Sequence, residues 1–148
     1  MDRDPADISG ETLLAEPLRA HAPAGPVVVS VCVTCKSADG TTVIGPEMFE
    51  ATKAALGDAG VIVRPVQCLS VCKRPATVAV TSPDGYTFLF GDLQTDSGTA
   101  ALLSFVQSYQ KSDYGLVPWR ERADVLRKGM VARVPPMRWS PDDGRAPK

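Results

Sequence analysis

The sequence has few of the parts from which hydrolytic and nucleotide-dependent active sites are made. Among 148 residues there is one histidine, His21. There is no recognisable Ser/His/Asp set, and the single histidine lies in the expected N-terminal arm. No Gly-rich phosphate loop of the nucleotide-binding kind is present. No apolar run approaches the ~20 residues that span a bilayer, so membrane insertion is not expected. The first residues, Met1-Asp2-Arg3-Asp4-Pro5-Ala6-Asp7, lack the apolar stretch of a secretory signal. There is no dense basic run of the type that grips nucleic acid, no internal repeat and no low-complexity tract. Intrinsic catalysis is therefore not expected, and neither nucleic acid nor membrane is an expected partner.

What is present describes an ordinary compact protein. The apolar fraction is 44% and the formal net charge −1, typical of a globular chain long enough for one real core. Charge is uneven along the chain: residues 1–24 carry a net −3 and residues 119–148 a net +4. A cytoplasmic location is the expectation, and there thiols stay reduced and serve metals or catalysis rather than disulfides.

The chain has four cysteines, in two pairs. Cys32-Val33-Thr34-Cys35 follows Val27-Val28-Val29-Ser30-Val31, and Cys68-Leu69-Ser70-Val71-Cys72 follows Val61-Ile62-Val63. Each pair thus ends a β-branched run that reads as a strand. Residues 1–25, with Pro5, Gly10, Pro17, Pro23 and Gly25, read as a flexible arm whose apolar cluster is Leu13, Leu14 and Leu18. Pro26 opens a strand to about Val33. Gly45-Pro46-Glu47 starts a helix with proline in the first turn and an acid at the positive dipole end. Val61 to Gln67 is the second strand, reached by a parallel crossover. Pro75 leads into a third, Ala76–Val80, and Ser82-Pro83-Asp84-Gly85 turns it into a fourth, Tyr86–Phe90. Thr95 or Asp96 caps a last helix with Leu102, Phe105, Val106 and Tyr109 on one face.

The order β-α-β-β-β-α is the minimal thioredoxin-like α/β arrangement, a mixed four-stranded sheet with the first strand between the second and third. Residues 26–111 form that domain, and residues 112–148 a basic extension packed on it. Within the extension, Pro118 to Gly129 reads as a short basic helix, Met130–Val134 as an extended segment, and Trp119 and Trp139 as packed on the body. The loop from second to third strand must cross over the C-terminal end of the first. Cys68 and Cys72 lie in the crossing loop and Cys32 and Cys35 at the end it crosses, so all four thiols are expected at one rim.

Three chemistries compete for such a rim. A [2Fe-2S] cluster takes four thiolates from flexible loops, and two unequal pairs about thirty residues apart suit a bimetallic centre. Rieske ligation is excluded by the single histidine. Structural zinc also takes four cysteines, but neither pair is followed by the glycine that commonly turns a zinc knuckle. A thioredoxin-type dithiol would use Cys32 and Cys35 alone. It would leave the second pair without a task, and a polar loop separates Cys35 from the helix whose N-terminus should activate it. Lys36, Lys73 and Arg74 follow the two pairs, where cations would offset an anionic cluster or dock a redox partner.

At these residues the chain resembles the thioredoxin-like [2Fe-2S] ferredoxins and the small electron-transfer subunit of NADH dehydrogenase. The likeness lies in a cysteine pair after the opening strand, then Cys68 to Cys72, then Pro75 leading into a strand, although the first pair is spaced more closely than in those proteins. Over about residues 27–138 it is also similar to an uncharacterised bacterial family of predicted metal-binding proteins often encoded near cobalamin-biosynthesis functions. That pattern is Cys32 to Cys35, Cys68 to Pro75, and Pro118-Trp119-Arg120-Glu121-Arg122 through Arg133-Val134-Pro135-Pro136. The resemblance implies a ferredoxin-like one-electron carrier with Cys32, Cys35, Cys68 and Cys72 as ligands. It implies a reductase or acceptor enzyme as partner, a link to cobalamin biosynthesis, and, by analogy, a homodimer.

Overall fold

A computed structural model of the protein describes residues 25–138. The expected N-terminal arm with Leu13, Leu14, Leu18 and His21, and the C-terminal residues from Trp139, lie outside the described residues. The elements run in the order β1 (Val28–Cys32), α1 (Gly45–Leu56), β2 (Ile62–Val66), β3 (Val78–Ser82), β4 (Gly85–Phe90), α2 (Ser97–Lys111), α3 (Asp124–Lys128) and β5 (Met130–Val134). Two short 3-10 turns, Asp113–Gly115 and Trp119–Glu121, lie between α2 and α3.

The sheet order is β2-β1-β3-β4-β5. β1 is parallel to β2, with Val28 opposite Ile62 and Cys32 opposite Val66, and antiparallel to β3. That is the expected thioredoxin-like arrangement with one addition. The sheet has five strands rather than four, because Met130–Val134 pairs antiparallel with β4. The valine run of β1 is buried from Val29 onward, as suits a central strand. α1 begins at Gly45 with Pro46 and Glu47 in its first turn, and Asp96 caps α2 by accepting from Ser97 N–H at 2.5 Å.

An aromatic cluster fixes α2 against the sheet. Phe105 meets Phe88 edge-on at 5.0 Å and Phe90 at 5.1 Å, each such pair contributing about 0.5–1.5 kcal/mol beyond its buried area. Tyr109 is buried beside them and donates its hydroxyl proton to the Tyr86 carbonyl at 2.6 Å. Burial pushes that phenol up to about 12.

One side chain of the C-terminal segment departs from expectation. Trp119 is 57% exposed rather than packed on the body. Arg122 takes the protected place instead: its guanidinium lies 5.1 Å from the Phe88 ring and 5.5 Å from the Trp119 ring, and Nε and NH2 donate to the Val117 carbonyl. Burial, with Arg133 nearby, lowers its pKa. The expected single helix from Pro118 to Gly129 is a 3-10 turn followed by the five-residue α3, closed at Gly129.

Candidate metal centre

The first cysteine loop is sealed into the core. Cys32 is 2% and Cys35 5% exposed, although only Cys32 belongs to a strand. The seal comes from the residues after Cys35. Lys36 bridges antiparallel to Val43, and Asp39 closes the tip by accepting from the Ser37 hydroxyl and from the N–H and hydroxyl of Thr41. Those bonds hold the Asp39 carboxyl down at about 2. The chain thereby returns to its starting point, and the N–H groups of Ile44 and Gly45 both donate to the Cys35 carbonyl, at 2.8 and 3.1 Å.

The N-terminus of α1 is therefore in contact with the thiol loop, despite the nine residues between Cys35 and Gly45. Gly45 permits the contact, because a Cβ there would sit 2.3 Å from the Val33 carbonyl carbon and 2.5 Å from the Cys32 carbonyl oxygen.

Hydroxyls flank both buried sulfurs. Cys32 Sγ is 3.5 Å from Thr34 Oγ1, and Cys35 Sγ is 3.4 Å from Thr77 Oγ1. Burial pushes the Cys32 thiol up, but hydrogen bonds with Thr34 and Cys35 outweigh it and bring the thiol down to about 7. Cys35 goes the other way. Burial raises it, and the Thr77 hydrogen bond does not fully compensate.

The second loop crosses the end of β1, as the strand order requires. The Cys32 thiol donates to the Gln67 carbonyl at 3.7 Å, and the Thr34 hydroxyl donates to the same oxygen. The residue immediately before Cys68 thus touches the first pair. Beyond it the loop is open, with Cys68 and Cys72 both exposed. Ser70 takes the left-handed conformation, φ 63°, and its N–H donates to Cys68 Sγ at 3.1 Å.

All four cysteines are free thiols, Cys32 and Cys35 buried and Cys68 and Cys72 exposed. Among the described residues, however, no three His, Cys, Asp or Glu side chains are gathered as a metal-binding set. The donor chemistry nonetheless fits a four-thiolate group, since Cys35 has the Thr77 hydroxyl and Cys68 the Ser70 N–H beside it, as an anionic sulfur requires.

The basic residues divide. Lys36 and Lys73 are exposed beside the two loops. Arg74 turns away from the sulfurs: Nε pairs with Asp92 at 2.8 Å, NH1 donates to the Met130 carbonyl at 3.3 Å and NH2 to the Lys128 carbonyl at 2.9 Å. It ties the second loop to the end of α3 and the start of β5. Sequence reasoning missed this role, as it missed the groups that Thr34, Thr77 and Ser70 set beside the sulfurs and the close approach of Gly45 to the first loop. The only available signals were a threonine inside the first pair and another in an otherwise apolar run, Ala76-Thr77-Val78.

No described helix is long and apolar enough to cross a membrane. No curated protein matches the chain. Among solved structures, a thioredoxin-like [2Fe-2S] ferredoxin from Aquifex aeolicus is similar over 78% of this chain and all of its own, with 17% identity and a TM-score of 0.51. The wild-type thioredoxin-like [2Fe-2S] ferredoxin from Aquifex aeolicus also matches, at 19% identity over 57% of this chain and 88% of its own, with a TM-score of 0.44. At such identities the likeness is one of fold, which is thioredoxin-like. A family model spans residues 29–136 of this sequence, and the chain belongs to that family, described as protein of unknown function (DUF1636).

Proposed function

We propose that this protein is a one-electron carrier that holds a [2Fe-2S] cluster on Cys32, Cys35, Cys68 and Cys72. When bound, such a cluster supplies a single reversible redox step and no bond chemistry. The protein's own residues do the rest. Cys32 and Cys35 form a buried half-site held by the Lys36–Val43 bridge and the start of α1, and Cys68 and Cys72 form an exposed half-site with the Ser70 N–H on the Cys68 sulfur. Lys36 and Lys73 offer a positive rim to a reductase or an acceptor, and the family resemblance adds a corrin-pathway enzyme as an acceptor.

The observation that carries the reading is the contact between the loops, in which the carbonyl preceding Cys68 lies 3.7 Å from Cys32 Sγ. That contact supports a shared four-thiolate centre, because two cysteine loops that touch have no common task in dithiol exchange.

Dithiol exchange is the second reading, and two observations favour it: α1 begins against the first cysteine loop, and the Cys32 thiol is lowered to about 7, the range of an attacking thiol. Its burial opposes this, because an attacking sulfur must be reached by its substrate. Anaerobic purification separates the readings. The cluster reading expects a red-brown protein with two iron and two acid-labile sulfide per chain, bleached by Cys32→Ser and by Cys72→Ser alike. Colourless protein carrying zinc would replace the cluster with a structural metal. Disulfide reduction abolished by Cys32→Ser and untouched by Cys72→Ser would establish the dithiol.

A further inference from the structure

Thr77 sits just before β3 and is fully buried, with 0% exposure. Its carbonyl accepts the Cys32 N–H at 3.1 Å, which fixes the residue against the first cysteine loop through the main chain. Its side-chain oxygen lies 3.4 Å from Cys35 Sγ. The flanking residues Ala76 and Val78 are apolar and equally sealed from water. At such a position valine has the same shape as threonine and avoids burying a hydroxyl, which is costly unless that group is hydrogen-bonded. The sulfur therefore decides whether this threonine is favourable. A neutral thiol is a poor partner, whereas an anionic sulfur is a good acceptor for an O–H donor.

We infer that Thr77 is a potential-setting residue whose hydroxyl donates to the Cys35 sulfur and favours the reduced form of the cluster. The inference rests on the cluster reading above. An added electron increases the negative charge on the ligand sulfurs, so a donor aimed at one of them stabilises the reduced form more than the oxidised form. Burial strengthens the effect, because water neither competes for the sulfur nor screens the dipole. Thr34 is not equivalent. Its proton goes to the Gln67 carbonyl, so it links the two loops rather than serving the sulfur alone.

The test compares wild type, Thr77→Val and Thr77→Ser, purified anaerobically and assayed for iron and labile sulfide before redox titration. Thr77→Val is expected to load as wild type does, with its redox equilibrium shifted toward the oxidised form by up to tenfold, about 59 mV for a one-electron couple. Thr77→Ser keeps the hydroxyl and is expected to titrate with wild type. In D2O the iron–cysteine stretches of wild type should shift in the resonance Raman spectrum, and part of that shift should vanish in Thr77→Val.

A loaded Thr77→Val with an unchanged midpoint overturns the role of Thr77 and leaves the cluster reading standing. Wild-type protein without iron and sulfide overturns both. Should Thr77→Val fail to load, wild type still decides, since iron–cysteine stretches insensitive to deuterium rule out the hydrogen bond.

Discussion

The two cysteine loops touch at Gln67 but are built in opposite ways. The first is closed: its thiols are buried, its sulfurs face hydroxyls, and α1 begins against its backbone. The second is open: both thiols are exposed, and the loop is held from behind by a left-handed Ser70 and by the Arg74 clamp on the C-terminal segment. Half of the donor set is thus placed by the core. The other half sits where it can close over a bound group and where another protein can reach it. In a thioredoxin-like dithiol only the first half would matter. The proposed cluster would use both halves, one buried and one exposed. On that proposal folding would be largely independent of loading, because the first loop is packed by the core and by hydroxyls.

The strongest way to break this contrast is to unseal the closed half. In the reduced, metal-free protein Cys68 and Cys72 should react quickly with an aromatic disulfide and Cys32 and Cys35 slowly, giving two fast and two slow thiols. Gly45→Ala puts a methyl group 2.3–2.5 Å from the Val33 and Cys32 backbone. Backbone cannot yield as a side-chain tip can, so the helix start must move, at a cost of about 3 kcal/mol. The expected result is a melting point lowered by roughly 8 °C, taking ~2–4 °C per kcal/mol for a domain of this size, with the slow thiols accelerated at least tenfold. If the slow pair stayed slow, α1 would not be what closes that loop.

The open half yields to a milder change. Arg74→Ala removes an ion pair to Asp92 and two charge-assisted bonds to the Lys128 and Met130 carbonyls. The site is partly exposed, so the net loss should be about 1–2 kcal/mol, below the sum of its bonds. Hydrogen exchange should speed at Gly91, Asp92 and the start of β5, and iron should leave the loaded protein several-fold faster. The slow thiol pair should not change. Equal disturbance of both loops would mean that they form one unit.

These two residues also mark how far the sequence could be read. The strands, their order and the meeting of the loops were legible because β-branched runs, turn residues and the parallel crossover rule are local or nearly local signals. The arrangement around the thiols was not. Nothing near Gly45 says that a nine-residue excursion folds back so tightly that the helix starts on Val33. Nothing near Arg74 says that its side chain faces α3 and β5 rather than the sulfurs. The fifth strand was read only as extended, because its partner is the free edge of β4, forty residues earlier in the chain. Trp119 is exposed where packing on the body is expected, and the shelter beside it goes to Arg122 for a similar reason: it is supplied partly by Phe88. Side-chain direction and long-range closure are tertiary facts, and they decide which basic residues remain to face a partner.

That division sets the smallest expected effect. Reversing Arg122 would bury a carboxylate against Phe88 and test stability rather than docking, and Arg74 is already engaged. Lys36 and Lys73 are the exposed basic residues of the two loops, one on each. If both loops border one redox-active rim, Lys36→Glu and Lys73→Glu should act alike on electron transfer to small charged oxidants. Oxidation of the reduced protein by anionic ferricyanide should slow several-fold at ~10 mM salt, where charges are felt over roughly 30 Å, and recover toward wild type near 1 M, where that reach falls to about 3 Å. Oxidation by cationic hexaamminecobalt(III) should change in the opposite direction, with the visible spectrum unaltered in both variants. An effect of Lys73→Glu without one of Lys36→Glu would place the electron's exit on the open loop alone. It would turn the contrast between the loops into a division of labour, with the closed loop holding the centre and the open loop addressing it.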